Sequence, residues 1–349
     1  MNKSFVKIRS FTILFFILFL LFVLFFSVIN RKPVEFESSY RLVMGTFARV
    51  IIIAGNSKTA QQAATDAFAE MEKVDDLMSD YKDNSDIGIV NKEAFQRAVQ
   101  VSESTFEVIR RSVVFSKLTD GAFDITVGPL VDLFRKSRET QIAPTKEEIE
   151  KTKTKVGYEK LILDETNRTV KFTVEGMRLD LGGIAKGYGV DKAIEAIQKT
   201  GVIGAMVDIG GNIRCFGIPA KGKKTWLVGI QNPNLVAEKD NDELVMKLKI
   251  TNESISTSGN YQQFVIIDGK RYSHIIDRRT GTGAEGLSSV TIISNNAADA
   301  DALSTAVSVI GVEKGLALIE TIDDTEAILI PSGQNQFIMT RGADKYIKE

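Results

Sequence analysis

Four short segments of the chain gather glycines, carboxylates, hydroxyls and a histidine in patterns that bear on chemistry. Asp180-Leu-Gly-Gly-Ile-Ala-Lys-Gly-Tyr-Gly189 runs into a helical pattern. Glycines let the backbone approach an anionic ligand closely, a helix N-terminus favours negative charge, and Lys186 adds a cation. The same residues also suit a tight strand-to-helix turn, and their spacing is neither Gly-x-Gly-x-x-Gly nor a Walker loop. Asp208-Ile-Gly-Gly-Asn212 places two glycines after an apolar strand, which fits either a ligand-facing bend or a plain bulge. Ser254-Ile-Ser-Thr-Ser-Gly-Asn-Tyr261 reads as a turn and precedes a strand and then Arg271-Tyr-Ser-His-Ile-Ile-Asp-Arg-Arg-Thr-Gly281. His274 is the single histidine, set among hydroxyls, an aspartate and two arginines; it suits a catalyst titrating near working pH or a satisfied structural residue. In Ala298-Asp-Ala-Asp-Ala-Leu-Ser-Thr-Ala306, Asp301 and Thr305 stand at i and i+4 and share one helix face. A carboxylate and a hydroxyl so placed can hold a hard cation with a backbone carbonyl, or can be a solvated Asp beside a helical Thr.

Composition narrows these choices. With one histidine and one cysteine (Cys215), the chain has no cysteine cage, poly-histidine site or intrachain disulfide. A metal would rest on oxygen ligands, which points to Mg²⁺ or Ca²⁺ rather than zinc. Forty-four basic against 45 acidic residues give a net charge of −1, with no basic nucleic-acid footprint.

The elements that must position these groups follow from periodicity. Tyr40–Ile53 reads as strand. Ala60, Ala64, Ala67, Met71, Val74 and Met78 mark one face of a helix capped by Asn56 or Ser57. Ser102 caps a second helix, and Thr145-x-x-Glu148 is a capping box for a short third. Leu161–Leu163 and Thr169–Val174 read as a hairpin, and Gly187–Lys199 as a helix closed by Gly201. Strands follow at Met206–Ile209, Trp226–Ile230, Val245–Ile250, Gln263–Ile267 and Val290–Ile293; Ala297–Ile310 is helix, then come a shorter helix and two closing strands. Helices and strands mix without regular βαβ alternation. The expected class is therefore α+β, with mixed, largely antiparallel sheets and packed helices in one large domain or two lobes.

The N-terminus differs from the rest. From Phe11 to Ile29 only Thr12 and Ser27 are not apolar, and basic residues flank the run. Roughly 20 apolar residues in helix span a ~30 Å hydrocarbon core. A signal peptide has a shorter apolar core and a small-residue cleavage site. Residues 1–30 are expected to be an N-terminal transmembrane anchor (a signal peptide being the alternative), 31–39 a polar linker, and 40–349 the catalytic domain. The basic N-terminus places that domain on the extracytoplasmic side of the cell membrane.

Taken in order, Met44-Gly-Thr46, Met78-Ser-Asp-Tyr81, Gly121-Ala-Phe-Asp-Ile-Thr-Val-Gly-Pro-Leu130, Asp180–Gly189, Gly210-Gly-Asn212, Ser256-Thr-Ser-Gly259, the His274 segment and Ala300–Ala306 resemble the ApbE-type FAD:protein FMN transferases, from about Met44 to Arg341. The resemblance implies FAD as substrate, with Met44, Tyr81, Ala122, Phe123, Asp124, Asp180, Lys186 and the backbone near Ile275 at its site. It implies Mg²⁺ held by Asp301, Thr305 and main-chain oxygens of Gly183 and Ser304. It implies transfer of FMN to a threonine or serine of a partner flavoprotein, with release of AMP. His274 is then the candidate general base, with Asp277 a candidate to orient it. An FAD pyrophosphatase giving FMN and AMP, and a non-catalytic extracytoplasmic flavin-binding protein, are the alternatives. The chain departs from the family at Arg278, where proline is usual, and a looser turn is expected there.

Overall fold

The computed structural model describes Phe19 and residues 32–219, 222–233, 244–259, 264–334 and 336–348. The anchor expected at Phe11–Ile29 thus falls outside the described residues but for Phe19. Among the described residues no helix is long and apolar enough to cross a membrane.

A nine-stranded sheet forms the centre: β1 (Val34–Glu37), β2 (Arg41–Val43), β3 (Thr46–Ala54), β4 (Gly204–Ile209), β5 (Asn212–Gly217), β6 (Ser254–Gly259), β7 (Leu287–Ser294), β8 (Glu326–Pro331) and β9 (Ile338–Met339). Every pairing is antiparallel, and from β3 onward the strands lie side by side in chain order. The long connections between neighbouring strands carry the helices: α1 (Ser57–Met78), α2 (Asp86–Glu93), α3 (Glu103–Leu118), α4 (Gly128–Thr140), α5 (Lys146–Lys153), α6 (Ala185–Gln198), α7 (Ala297–Ile310) and α8 (Val312–Ile319).

Alternation along the strands sends side chains to two different cores. On β7, Val290 and Ile292 face the helices while Ile293 faces away; on β8, Ala327 and Leu329 do the first and Ile328 the second. The helix-side layer is α1, α6 and α7. Asn56 caps α1 by accepting from Thr59 N–H at 2.9 Å, and Ala60, Ala63, Ala64 and Ala67 let it lie close to α6 and β3. The opposite face of the sheet is covered by the hairpin Trp226–Gln231/Leu244–Ile250 and by Tyr346, over Ile53, Cys215 and Ile255. A separate small core joins α4 (Leu130, Phe134) to Ile267 and Ile276, with Phe134 and Tyr272 rings 5.6 Å apart. The α+β, antiparallel expectation is met.

Several boundaries differ from the sequence reading. Val34–Glu37, inside the expected linker, alternates Val-Glu-Phe-Glu and pairs with β3 as a strand. Tyr40–Ile53 is two strands, because Met44 (φ 52°) and Gly45 (φ 71°) form a two-residue turn between Val43 and Thr46. Positive φ at both central residues matches the right-handed twist of a hairpin. Ser256–Gly259, expected as a turn, belongs to central strand β6 because its serines bond to neighbours instead of solvent. Helices α2 and α4 lie where the sequence pattern predicts none; α2 is opened by Ser85 accepting from Gly88 N–H, and α4 carries Pro129 in its first turn.

Candidate functional site

The N-termini of α6 and α7 meet beneath the middle of the sheet, and each is capped by a carboxylate from the other helix. Asp301 Oδ2 on α7 accepts from Gly187 N–H of α6 at 3.0 Å. Asp191 on α6 accepts from Ala297 and Ala298 N–H of α7 at 2.9 and 3.0 Å, and also pairs with Arg214 at 2.6 Å. A Cβ on Gly187 would stand 2.2 Å from the Ala297 carbonyl oxygen, so glycine is what permits the crossing. Three first-turn donors, on Gly187, Ala297 and Ala298, are thereby met inside the protein instead of by water.

A cavity of about 450 Å³ opens beside this junction. Asp301, Thr305, Gly183, Lys186 and Asp180 line one wall. Burial holds the Asp301 carboxyl above the ordinary carboxylate range, against the pull of Lys186 and the Gly187 N–H. Lys186 Nζ donates to the Gly182 carbonyl at 2.7 Å and lies 3.8 Å from Asp301 Oδ2. A Cβ on Gly183 would stand 3.0 Å from Thr305 Oγ1 and 3.2 Å from Phe123, so this backbone is pressed against the Asp301–Thr305 face. Asp180 accepts from Gly182 N–H at 2.8 Å and fixes the glycine turn. Ser304 is set apart from the other expected ligands: it does not line the cavity. Its carbonyl accepts from Ser308 Oγ at 2.8 Å, and its hydroxyl joins Ser256, Ser258 and, through Ser256, Asn212 in a buried chain. Ser304 Oγ also donates to the Asp301 carbonyl at 2.9 Å, so it braces the turn that carries Asp301.

The facing wall comes from loops. Met44 presents its side chain from the β2–β3 turn, packed close to Gly189. Tyr81, 77% exposed, stands at the rim against Arg135, which stacks 4.8 Å from its ring centre and donates to its hydroxyl at 3.0 Å. Ala122 and Phe123 are buried, and Phe123 meets Phe115 edge-on at 6.2 Å. His274 and Ile275 close the cavity from the hairpin that spans β-bridges Ile276↔Gly283 and Asp277↔Thr282; His274 is exposed and Ile275 buried. All the expected residues but Ser304 therefore come to one cavity.

Two carboxylates on this side have partners that the spacing does not show. The Asp124 carboxylate, at the cavity, is engaged internally: Oδ1 accepts from Thr126 N–H and Oγ1, Oδ2 accepts from Tyr158 N–H, and Arg278 forms an ion pair with Oδ2. Asp277, a candidate to orient His274, holds Arg279 in a two-pronged pair at 2.9 Å. A short Asp-x-Arg turn satisfies both charges locally, which sequence spacing alone does not reveal.

The sequence reading passed over Asp80 and Arg135, both in the cavity wall. Asp80 lies within the Met78–Tyr81 stretch, and burial together with the Asp180 charge raises its pKa to about 6, opposed by Arg135 and Arg178. No periodicity marks Arg135; only α4 brings it to Tyr81.

A cavity where a helix N-terminus, a lysine and a buried carboxylate–hydroxyl face converge suits an enzyme acting on a phosphate-bearing ligand. A model of the ApbE family matches residues 44–329. The FAD:protein FMN transferase of Vibrio cholerae is 33% identical over 297 residues, covering 83% of this chain and 86% of the relative. That of Treponema pallidum is 30% identical, covering 86% of each. Among solved structures, the ApbE protein of Thermotoga maritima superposes with a TM-score of 0.79 at 28% identity, over 91% of this chain and all (100%) of its own. The flavin transferase ApbE of V. cholerae does so at 0.76 and 28%, over 90% and 99%. The chain belongs to the ApbE family, an enzyme family whose matched members are named for FAD:protein FMN transfer.

Proposed function

We propose that this enzyme transfers the FMN half of FAD to a threonine or serine hydroxyl of an acceptor flavoprotein, with AMP as leaving group and Mg²⁺ required. The observation that carries the reading is the convergence on one cavity of the Asp301–Thr305 face, the α6 N-terminus with Lys186, and His274 at the rim. Phosphoryl transfer depends on positioning and charge neutralisation more than on covalent help from the protein.

The donor set fits a hard cation. Among the described residues no cluster of three Asp, Glu, His or Cys can hold a metal, so the ion would rest on one buried carboxylate with neutral oxygens. Asp301, Thr305 and the Gly183 carbonyl would hold it; Ser304, placed behind them, supports Asp301. When bound, Mg²⁺ supplies charge neutralisation to the pyrophosphate. The protein's own groups do the rest. Lys186 and the α6 N-terminus draw the phosphates to the glycine turn. Met44, Phe123, Ile275 and the Tyr81–Arg135 stack enclose the flavin nucleotide and exclude water. The acceptor oxygen forms a bond to the FMN-side phosphorus, the P–O bond to AMP breaks, and the hydroxyl proton passes to His274.

The test is incubation of the protein with FAD, Mg²⁺ and candidate flavoprotein subunits, reading flavin fluorescence on the acceptor in a gel and AMP in solution. A fluorescent acceptor is the expected result. AMP without labelled protein would make the enzyme a pyrophosphatase, and neither product would make it a flavin binder. We further propose that Phe11–Ile29 anchors the chain with the catalytic domain outside the cytoplasm; a C-terminal reporter active only inside would reverse that topology.

A further inference from the structure

Arg278 occupies a position that ties the His274 hairpin to the rest of the molecule. Its Nη1 lies 3.0 Å from Asp124 Oδ2 and 2.9 Å from Glu159 Oε2, and its guanidinium sits 5.0 Å from the Tyr158 ring centre. The Arg278 side chain is 18% exposed and that of Asp124 fully buried (0%). Gly121, at φ +71°, leaves the space: a Cβ there would stand 2.2 Å from Arg278 Nε. The arginine thus lies in a slot beneath the Gly121–Asp124 loop, whose next residues, Ala122 and Phe123, form a wall of the cavity.

The hairpin is internally stiff. Gly281 N–H donates to the Asp277 carbonyl and Ala284 N–H to the Ile275 carbonyl, both at 2.7 Å. Arg279 is bound to Asp277 on the same turn. A stiff hairpin moves as a body, so a contact at Arg278 sets the placement of His274 four residues away. The restraint on this turn comes from outside it, through one guanidinium nitrogen, Nη1, set between two carboxylates. The expected loosening of this turn is therefore replaced by a clamp.

We propose that Arg278 is a positioning residue: it clamps the His274 hairpin onto the Gly121–Asp124 loop and sets the distance between His274 and the flavin cavity. The kinetic part rests on the reading of His274 as the proton acceptor; the geometric part does not. Misplacing a reacting group by about 1 Å costs on the order of 10²-fold in rate.

The full chain carrying no histidine tag allows both parts to be tested, because its one imidazole gives one unambiguous NMR signal. Arg278→Ala is expected to shift the titration midpoint of that signal or broaden it. It is expected to lower single-turnover FMN transfer at saturating FAD by about 10-fold or more while FAD affinity changes by less than about threefold. Arg278→Lys, which keeps the charge but loses the guanidinium over the Tyr158 ring, should recover part of the rate. In a His274→Ala background, Arg278→Ala should add little further loss, since both act on one step. An unchanged imidazole signal in a folded Arg278→Ala protein would overturn the clamp. So would a rate loss of equal size with and without His274. If Arg278→Ala does not fold, Arg278→Lys decides on the same two readouts: a wild-type signal and rate would overturn the proposal, and a reduced rate at unchanged melting temperature would support it. If His274→Ala alone keeps the full rate, the proton-acceptor reading fails, while the imidazole signal still judges the clamp.

Discussion

On one side of the cavity, two helix N-termini cap each other through buried carboxylates; on the other, a hairpin and two loops are held by side-chain pairs near the surface. The α6–α7 side is set by backbone: Asp301 to Gly187 N–H, Asp191 to Ala297 and Ala298 N–H, and a glycine where the helices touch. Moving any of these groups would orphan helix-end donors, so the arrangement has few alternatives. The hairpin side depends on Arg278, on the Tyr81–Arg135 stack and on a small core around Phe134 and Ile276. The lesson is a division of labour. The α6–α7 end is fixed by bonds to helix-end backbone, whereas the hairpin end is held through side-chain pairs.

That contrast is open to direct attack. The largest effect is expected from Asp301. Asp301→Ala should abolish Mg²⁺-dependent turnover, and Asp301→Asn should do the same while its amide oxygen still accepts from Gly187 N–H and keeps the melting temperature near wild type. Activity measured beside thermal unfolding checks this; Mg²⁺-dependent turnover surviving in Asp301→Asn would mean that the carboxylate serves only as a cap.

His274→Ala comes next. Its loss should lower single-turnover transfer by about 10²–10⁴-fold, with little change in FAD affinity or melting temperature because the side chain is exposed. A defect lying wholly in FAD binding would instead make the hairpin side as structural as the helix side. Thr305→Val should be milder, a loss of about tenfold that added Mg²⁺ partly restores, since one neutral oxygen is removed. No response to Mg²⁺ concentration would remove Thr305 from the cation site.

The smallest effect concerns Asp80. Its folded pKa of about 6 lies above the ordinary 3.8, chiefly through burial. Between those values the folded protein holds the proton more tightly than the unfolded chain does, so this group lowers stability as pH rises through the window. Asp80→Asn should therefore melt a few degrees above wild type at pH 8, with the two converging near pH 4. Equal melting temperatures at both pH values would mean that Arg135 and Arg178 fully offset the burial.

Local chemistry was legible along the chain. The alanine face of α1, the capping box Thr145–Glu148 and the Asp301–Thr305 spacing each depend on residues within one or two turns, where periodicity and cap preference act directly. The resemblance supplied the grouping of distant segments around one cavity, but not the partners of individual side chains. Asp124 stands in the cavity wall, but its oxygens are engaged by Tyr158 and Arg278, 34 and more positions away, which no local pattern shows. Asp277 binds Arg279 on its own turn, and the Ser304 hydroxyl meets Ser256 and Ser258.

By itself the sequence determined the α+β class and the helices and strands with a clear period, such as α1 and α7, since these follow from local pattern. The tertiary structure alone decided that α6 and α7 cap one another, that Val34–Glu37 closes the sheet edge, and that Arg278 lies beneath Gly121. The physical reason is common to all three. A buried donor or charge must find a partner wherever the fold provides one, and nothing in the sequence neighbourhood says which distant group that will be.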